Sequence, residues 1–286
     1  MEEVPFINVY RRVKYSHSIQ KAVVNMREKL MIKTFLFFLI SFGAWARPVV
    51  LVSHFDAFGK AAFNNSEKIA GVLFQKLKDH PEFELKLCGL NTVFDKSTYQ
   101  LEDCFRSLPV APKIVLGLGE ANCNFKIETM ARNFDKTAGP DNEGNERNKT
   151  EIIPNGMKAI GLNYPLAQMY CALPENDRKE VEVSNNAGSF VCNNLAYQFA
   201  HLYPEVTFGF IHVPSQHCRG LAKKDIVTLR NLEKMILAAV KTTSFERLST
   251  TKKEIEELRN THQNDQCLSE FFKRTKGIDE KNRWSF

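Results

Sequence analysis

Val181-Glu-Val-Ser-Asn-Asn-Ala-Gly188-Ser-Phe-Val-Cys192-Asn-Asn-Leu-Ala-Tyr197-Gln-Phe-Ala-His-Leu-Tyr-Pro204, followed by Phe208-Gly-Phe-Ile-His212-Val-Pro214, decides the fold. Val181–Val183 is a short β-branched run that reads as a strand, and Asn-Asn-Ala-Gly after it reads as a turn. Leu195, Phe199 and Leu202 recur at helical spacing until Pro204 ends the pattern. Phe208–His212 is a second buried strand. Strand, turn, helix and strand in this order make a crossover unit. The same alternation extends along the chain, with apolar strands at Val49–Ser53, Phe83–Leu87 and Ile114–Leu116. A helix capped by Ser66 is expected to bury Ile69, Val72, Leu73 and Leu77. Another, from about Asp225 to Val240, is expected to bury Ile226, Leu229, Leu232, Ile236 and Val240. The expected fold class is α/β, a single-domain three-layer α/β/α sandwich with a mixed, mostly parallel sheet.

The same stretch carries the chemistry. A cysteine just inside a helix start meets unpaired backbone N–H groups and the positive end of the helix dipole, which favour a thiolate. Those N–H groups can also hold an oxyanion. His212 closes a strand, where sites collect in open α/β sheets, and Glu128 in Phe125-Lys-Ile-Glu-Thr can orient an imidazole as the third member of a triad. Taken singly, each has a plainer reading: Cys192 as core filler, His212 as a satisfied buried histidine, Glu128 as a surface charge.

Composition narrows the field. Of the net charge of +6 over 286 residues, the first 46 residues carry +4 and the remainder +2. That small remainder gives no case for a nucleic-acid partner. Residues 1–46 read as a signal peptide. Arg27, Lys29 and Lys33 form its basic region, Phe35–Phe42 its apolar run, and Ala44-Trp45-Ala46 its cleavage site. Residues 1–25 precede this pattern, as an extension upstream of a start at Met26 or Met31. The expected location is exported, periplasmic or secreted, with no stable membrane association once the signal is removed. There are seven cysteines. With Cys192 kept free, the other six allow many pairings and the sequence assigns none. No metal or organic cofactor is implied, since His217-Cys218 lacks a third ligand at a recognisable spacing. Residues 138–149 are polar and turn-rich, hence a loop. Residues 244–286 form a charged, partly helical C-terminal extension after a catalytic domain at 47–243.

Four motifs in order give the chain a family resemblance. His54-Phe55-Asp-Ala57-Phe58-Gly59 with Asn64-Asn65-Ser66, then Glu128 with Asn133 and Pro140-Asp-Asn-Glu-Gly144, then Ser184–Tyr197, then Phe210–Pro214 resemble pyroglutamyl peptidase type I. This is a family of cysteine peptidases, and the resemblance spans about Val49 to Val240. It implies Cys192 as nucleophile, His212 as general base and acid, and Glu128 as the orienting carboxylate. It also implies Phe55 and Phe58 as walls of a lactam-ring pocket, with Asn64 and backbone groups at Gly117 and Leu118 in a Gly117–Gly119 loop beside it. The implied substrates are N-terminally pyroglutamylated peptides; homo-oligomerisation is common in the family, but no interface is legible here. The chain departs from the motifs at His54 (Gly in the family), Ala57 (Pro), Asn65 (Pro) and Ala138 (Arg), a role Lys136 or Arg132 could take over. Its Glu120-Ala-Asn-Cys123 segment also differs, placing a carboxylate near the residue after pyroglutamate. Two further readings follow from these departures: a non-catalytic pyroglutamyl-binding protein, and an amidase acting on another N-blocked substrate.

Overall fold

The computed structural model describes residues 47–137, 139–148, 150–245 and 251–277. The expected signal at 1–46, the departure at Ala138 and the end of the extension at 278–286 lie outside the described residues. Eight strands are found: β1 (Val49–Phe55), β2 (Glu84–Leu90), β3 (Ile114–Glu120), β4 (Phe125–Glu128), β5 (Met130–Arg132), β6 (Ala159–Gly161), β7 (Val181–Ser184) and β8 (Phe208–Val213). The helices are α1 (Asn65–Leu77), α2 (Lys96–Arg106), α3 (Leu166–Cys171), α4 (Glu175–Glu180), α5 (Val191–Leu202), α6 (Leu221–Lys241), α7 (Lys252–Thr261) and α8 (Gln266–Arg274).

Six strands form one sheet in the order β2-β1-β3-β8-β4-β7, and β5 and β6 form a separate antiparallel pair. All neighbours in the large sheet are parallel except β4 and β8. The sheet is therefore mixed and mostly parallel, as the strand–helix alternation implies. β1, β3 and β8 are apolar along almost their whole length because both faces are covered. One helical layer contains α1 and α6, which pack on each other; α2 and α5 pack together in the other. The chain turns to opposite sides of β1 on its way to β2 and to β3. The carboxyl ends of β1 and β3 therefore flank a crevice, the place where ligands bind in such sheets.

Local chemistry moves some boundaries and faces. Asn64, not Ser66, caps α1, accepting from the Ser66 N–H. Ser66 lies inside the helix, where its hydroxyl accepts from the Phe55 N–H. Val72 and Ile226 are exposed, 45% and 66%, and their places in the interior are taken by Ala70 and Met235. The rest of the expected faces hold: Ile69, Leu73, Leu77, Leu232 and Ile236 are buried, and Leu229 and Val240 pack against the core. The strands β4, β5 and β6 and the helices α2, α3 and α4 were not foreseen.

Six cysteines pair as Cys88–Cys104, Cys123–Cys218 and Cys171–Cys267, leaving Cys192 free. The last bridge staples α8 to α3. Phe271 and Phe272 are buried there, and the Tyr170 hydroxyl donates to Glu270 at 3.0 Å. Described residues 251–277 of the extension are thus part of the packed body. No helix among the described residues is long and apolar enough to cross a membrane.

Candidate active site

Gly188 (φ 86°) turns the chain after β7, and the Asn186 side chain accepts from its N–H at 3.2 Å. Phe190 then enters extended at the N-cap of α5, where it offers no side-chain acceptor. Ser, Thr, Asn or Asp would normally occupy such a cap. Cys192, second in the helix, therefore keeps an amide without an intrahelical acceptor. The Asn194 N–H already bonds the Phe190 carbonyl at 3.1 Å.

Side chains fix this helix start against the body. Asn193 accepts from the Arg132 N–H at 2.9 Å and donates to the carbonyls of Arg132 and Phe134. Asn194 donates to Asp135 at 2.7 Å and accepts from the Asp95 N–H at 3.1 Å. Arg147 reaches Asp95 at 2.6 Å. Burial pushes the Asp135 carboxyl up to about 7, against the Asn194 hydrogen bond and the charge of Arg147 and with the help of Asp95.

The sheet supplies the other partners. In the β4–β8 ladder Glu128 lies opposite Phe210, and Lys126 opposite His212. Opposed residues share a face, so Glu128 and His212 are diagonal neighbours on the face that α5 covers. Glu128 is fully buried, and its Oε1 lies 2.8 Å from His212 Nδ1. Cys192 Sγ and the His212 ring both lie against Gly119, 2.8 Å and 3.1 Å from where its Cβ would stand. Burial drags the His212 pKa down, but the bonds to Cys192 and Glu128 and their charges overcome it and lift it to about 10. An imidazole kept charged beside a carboxylate and a sulfur is an arrangement that can activate a thiol. The Tyr164 hydroxyl fixes the Glu128 carbonyl at 2.7 Å. Arg132 feels the Glu128 charge, which raises its pKa against a larger lowering by burial.

Close approach of α5 to the sheet depends on β3. A Cβ at Gly119 would stand 2.8 Å from Cys192 Sγ, and one at Gly117 2.5 Å from the Phe210 ring. Gly117 and Leu118 consequently lie within a strand rather than a loop, one under the Phe210 ring and the other fully buried. Neither is among the residues that line the cleft described next.

A cleft of 230 Å³ opens beside the Cys192 sulfur, lined by the expected Phe55, Phe58 and Asn64. Phe190, whose ring meets Phe58 edge-on at 5.1 Å, was missed; an aromatic at the N-cap was its only signal. Gln216 and His217 also line it, as does Glu120, whose two oxygens are taken by donors from Asn65, Ser215 and Gln216. No carboxylate among the described lining residues is thus left unengaged for a substrate ammonium. Among the described residues no group of three or more His, Cys, Asp or Glu is placed to hold a metal ion.

Residues 49–246 match the family described as pyroglutamyl peptidase. A pyrrolidone-carboxylate peptidase of Thermosipho africanus is 30% identical over 204 residues, covering 67% of this chain and 95% of the relative. That of Staphylococcus carnosus is 32% identical over 169 residues, covering 58% and 78%. The crystal structure of pyroglutamyl peptidase I from Bacillus amyloliquefaciens superposes with a TM-score of 0.59 at 25% identity, over 71% of this chain and 100% of that one.

Proposed function

Because the chain belongs to the pyroglutamyl peptidase family of cysteine peptidases, we propose that it hydrolyses the bond after an N-terminal pyroglutamyl residue through Cys192, His212 and Glu128. The observation that carries this reading is the buried His212–Glu128 pair with the free Cys192 beside it over Gly119, in the lining of an aromatic cleft. A cleft of 230 Å³ is below the range of drug-sized sites and suits one small ring. A lactam has no ammonium group. Apolar walls at Phe55, Phe58 and Phe190, without an unengaged carboxylate, therefore suit it better than they suit a free amino terminus.

The chemistry follows from the geometry. The Cys192 thiolate adds to the pyroglutamyl carbonyl carbon, and the π electrons move to oxygen. The resulting oxyanion is received at the start of α5, where the Cys192 amide has no helical acceptor. His212 gives its proton to the scissile nitrogen, the C–N bond breaks, and the shortened peptide leaves with a free amine. Neutral imidazole then takes a proton from water, the hydroxide adds to the thioester, and the C–S bond breaks to return thiolate and release pyroglutamic acid. Glu128 holds the ring and stabilises its charged form throughout. Export is part of the proposal, since three disulfides fit an oxidising compartment and agree with the signal expected at residues 1–46.

The test is fluorophore release from pyroglutamyl-aminomethylcoumarin by purified, disulfide-intact protein, beside Cys192→Ala. Cleavage that vanishes in the variant supports the reading. A folded protein with an alkylatable Cys192 that releases nothing rejects it.

A further inference from the structure

Two positions at which the chain departs from the motifs it resembles turn out to be partners. The Asn65 backbone N–H donates to one Glu120 oxygen. The other Glu120 oxygen accepts from the Ser215 hydroxyl at 2.8 Å and from the Gln216 N–H at 3.0 Å. Proline, which the motif carries at position 65, has no N–H to give. Asn65 Nδ2 adds bonds to the Pro214 carbonyl at 2.7 Å and to Asp225 at 3.0 Å. Asp225 is in turn paired with Lys68. The segments after β3 and β8 are tied again by Ser215 N–H to the Asn122 carbonyl at 2.6 Å, and covalently by Cys123–Cys218. Glu120 thus ties together three segments: the start of α1, the end of β3 and the turn after β8.

This clamp shapes one side of the cleft. Phe58 and Phe190 meet through their rings on one wall. On the other, Gln216 donates from Nε2 to the Phe63 carbonyl at 2.5 Å, and the His217 N–H bonds the Ser215 hydroxyl at 3.3 Å. Phe63 keeps 36% of its surface exposed, and His217 is exposed as well. For a lactam ring held against Phe58 and Phe190, the lining left to meet the peptide beyond the scissile bond includes Phe63, Gln216 and His217. The Phe63 and His217 rings sit on two segments, before α1 and after β8, that the Gln216–Phe63 bond and the Glu120 clamp hold together.

We propose that Glu120 is a positioning residue that builds the subsite for the residue following the pyroglutamyl group, and that this subsite favours flat, aromatic side chains. The assignment of the subsite rests on the pyroglutamyl reading above; the clamp itself does not. Asn65 is the first residue of α1, a position that accepts proline. Asn65→Pro therefore removes the N–H without breaking the helix, whereas Asn65→Ala keeps the N–H and removes only the side-chain bonds.

The experiment compares the protein with Glu120→Ala, Asn65→Pro, Asn65→Ala and the Glu120→Ala/Asn65→Pro double variant. One readout is the ratio of kcat/KM for pyroglutamyl-phenylalanine amide to that for pyroglutamyl-glycine amide. The other is the rate at which dithiothreitol opens Cys123–Cys218, followed by alkylation and mass spectrometry. The wild type is expected to prefer phenylalanine, and Glu120→Ala and Asn65→Pro to lose that preference by roughly tenfold. Both should open the bridge faster, Asn65→Ala less so, and the double variant no more than either single one. Unchanged ratios, or effects that add in the double variant, overturn the proposal. A wild-type protein that cleaves neither amide overturns the pyroglutamyl reading and the subsite with it, and the clamp then stands or falls on the opening rate.

Discussion

Replacing Glu128 with glutamine keeps the shape of a fully buried side chain and removes its charge. Its Oε1 is the partner of His212 Nδ1 at 2.8 Å, and its Oε2 is buried without a hydrogen-bond partner, so the charge is directed at the imidazole. The lift of His212 from 6.5 to about 10 corresponds to roughly 5 kcal/mol in favour of the imidazolium, net of burial. Glu128 and Cys192 supply that stabilisation together. Without the carboxylate, burial acts against the imidazolium with only the sulfur to oppose it. In the wild type the imidazolium persists as pH rises until His212 loses its proton near 10, so the alkaline limb of kcat/KM is expected there. In Glu128→Gln that limb moves down by several pH units, and kcat/KM at neutral pH falls by about 10²–10⁴-fold. The assay is a pH profile of fluorophore release, with the thiolate ultraviolet absorbance of Cys192 measured in parallel. A variant with its alkaline limb still near 10 and activity within tenfold of wild type refutes the orienting role of Glu128.

Three further outcomes are expected. Gly119→Ala places a Cβ 2.8 Å from Cys192 Sγ and 3.1 Å from the His212 ring; kcat/KM should fall about a hundredfold, and activity within threefold of wild type contradicts the close-approach argument. Replacing both Cys171 and Cys267 with alanine opens a connection 96 residues long and should cost about 4–5 kcal/mol in denaturant unfolding on the chain-entropy relation, while a loss under about 1 kcal/mol shows that noncovalent contacts hold the extension. Asp135, raised from 3.8 to about 7 chiefly by burial, contributes stability that is full below pH 4 and lost as pH rises to about 7; Asp135→Asn should flatten unfolding free energy across that window, and an unchanged slope assigns it to other groups.

Legibility in the sequence followed the range of each signal. Cys192 and His212 stood out because strand, turn, helix and proline stop are all local. Glu128 did not, since its meaning comes from a diagonal relation across an antiparallel pair, and the alternation of Phe-Lys-Ile-Glu runs over too few residues to announce β4. It was named as a possible third member of a triad, and the family resemblance gave it weight. Phe190 was silent for a similar reason: an unusual cap is visible only once the helix start is fixed. On α1 and α6 the expected faces were largely the true ones, but apolar spacing alone did not show that Val72 and Ile226 at their edges stay exposed. The pairing of six cysteines and the Asn65–Glu120 contact depend on which loops meet in space, which no spacing along the chain encodes.

The separations of the bridges bear on how the molecule is made. Cys88–Cys104 spans 16 residues, whereas Cys123–Cys218 and Cys171–Cys267 span 95 and 96. The short loop closes at less entropic cost and is favoured early; the long ones wait for distant segments to meet. During that wait an odd seventh thiol is a competitor for every unpaired sulfur. Cys192 leaves the competition only when α5 has docked and its sulfur is seated over Gly119. The helix that arms the nucleophile in the finished protein therefore also acts as its guardian during oxidative folding, and weak docking of α5 should appear first as scrambled disulfides.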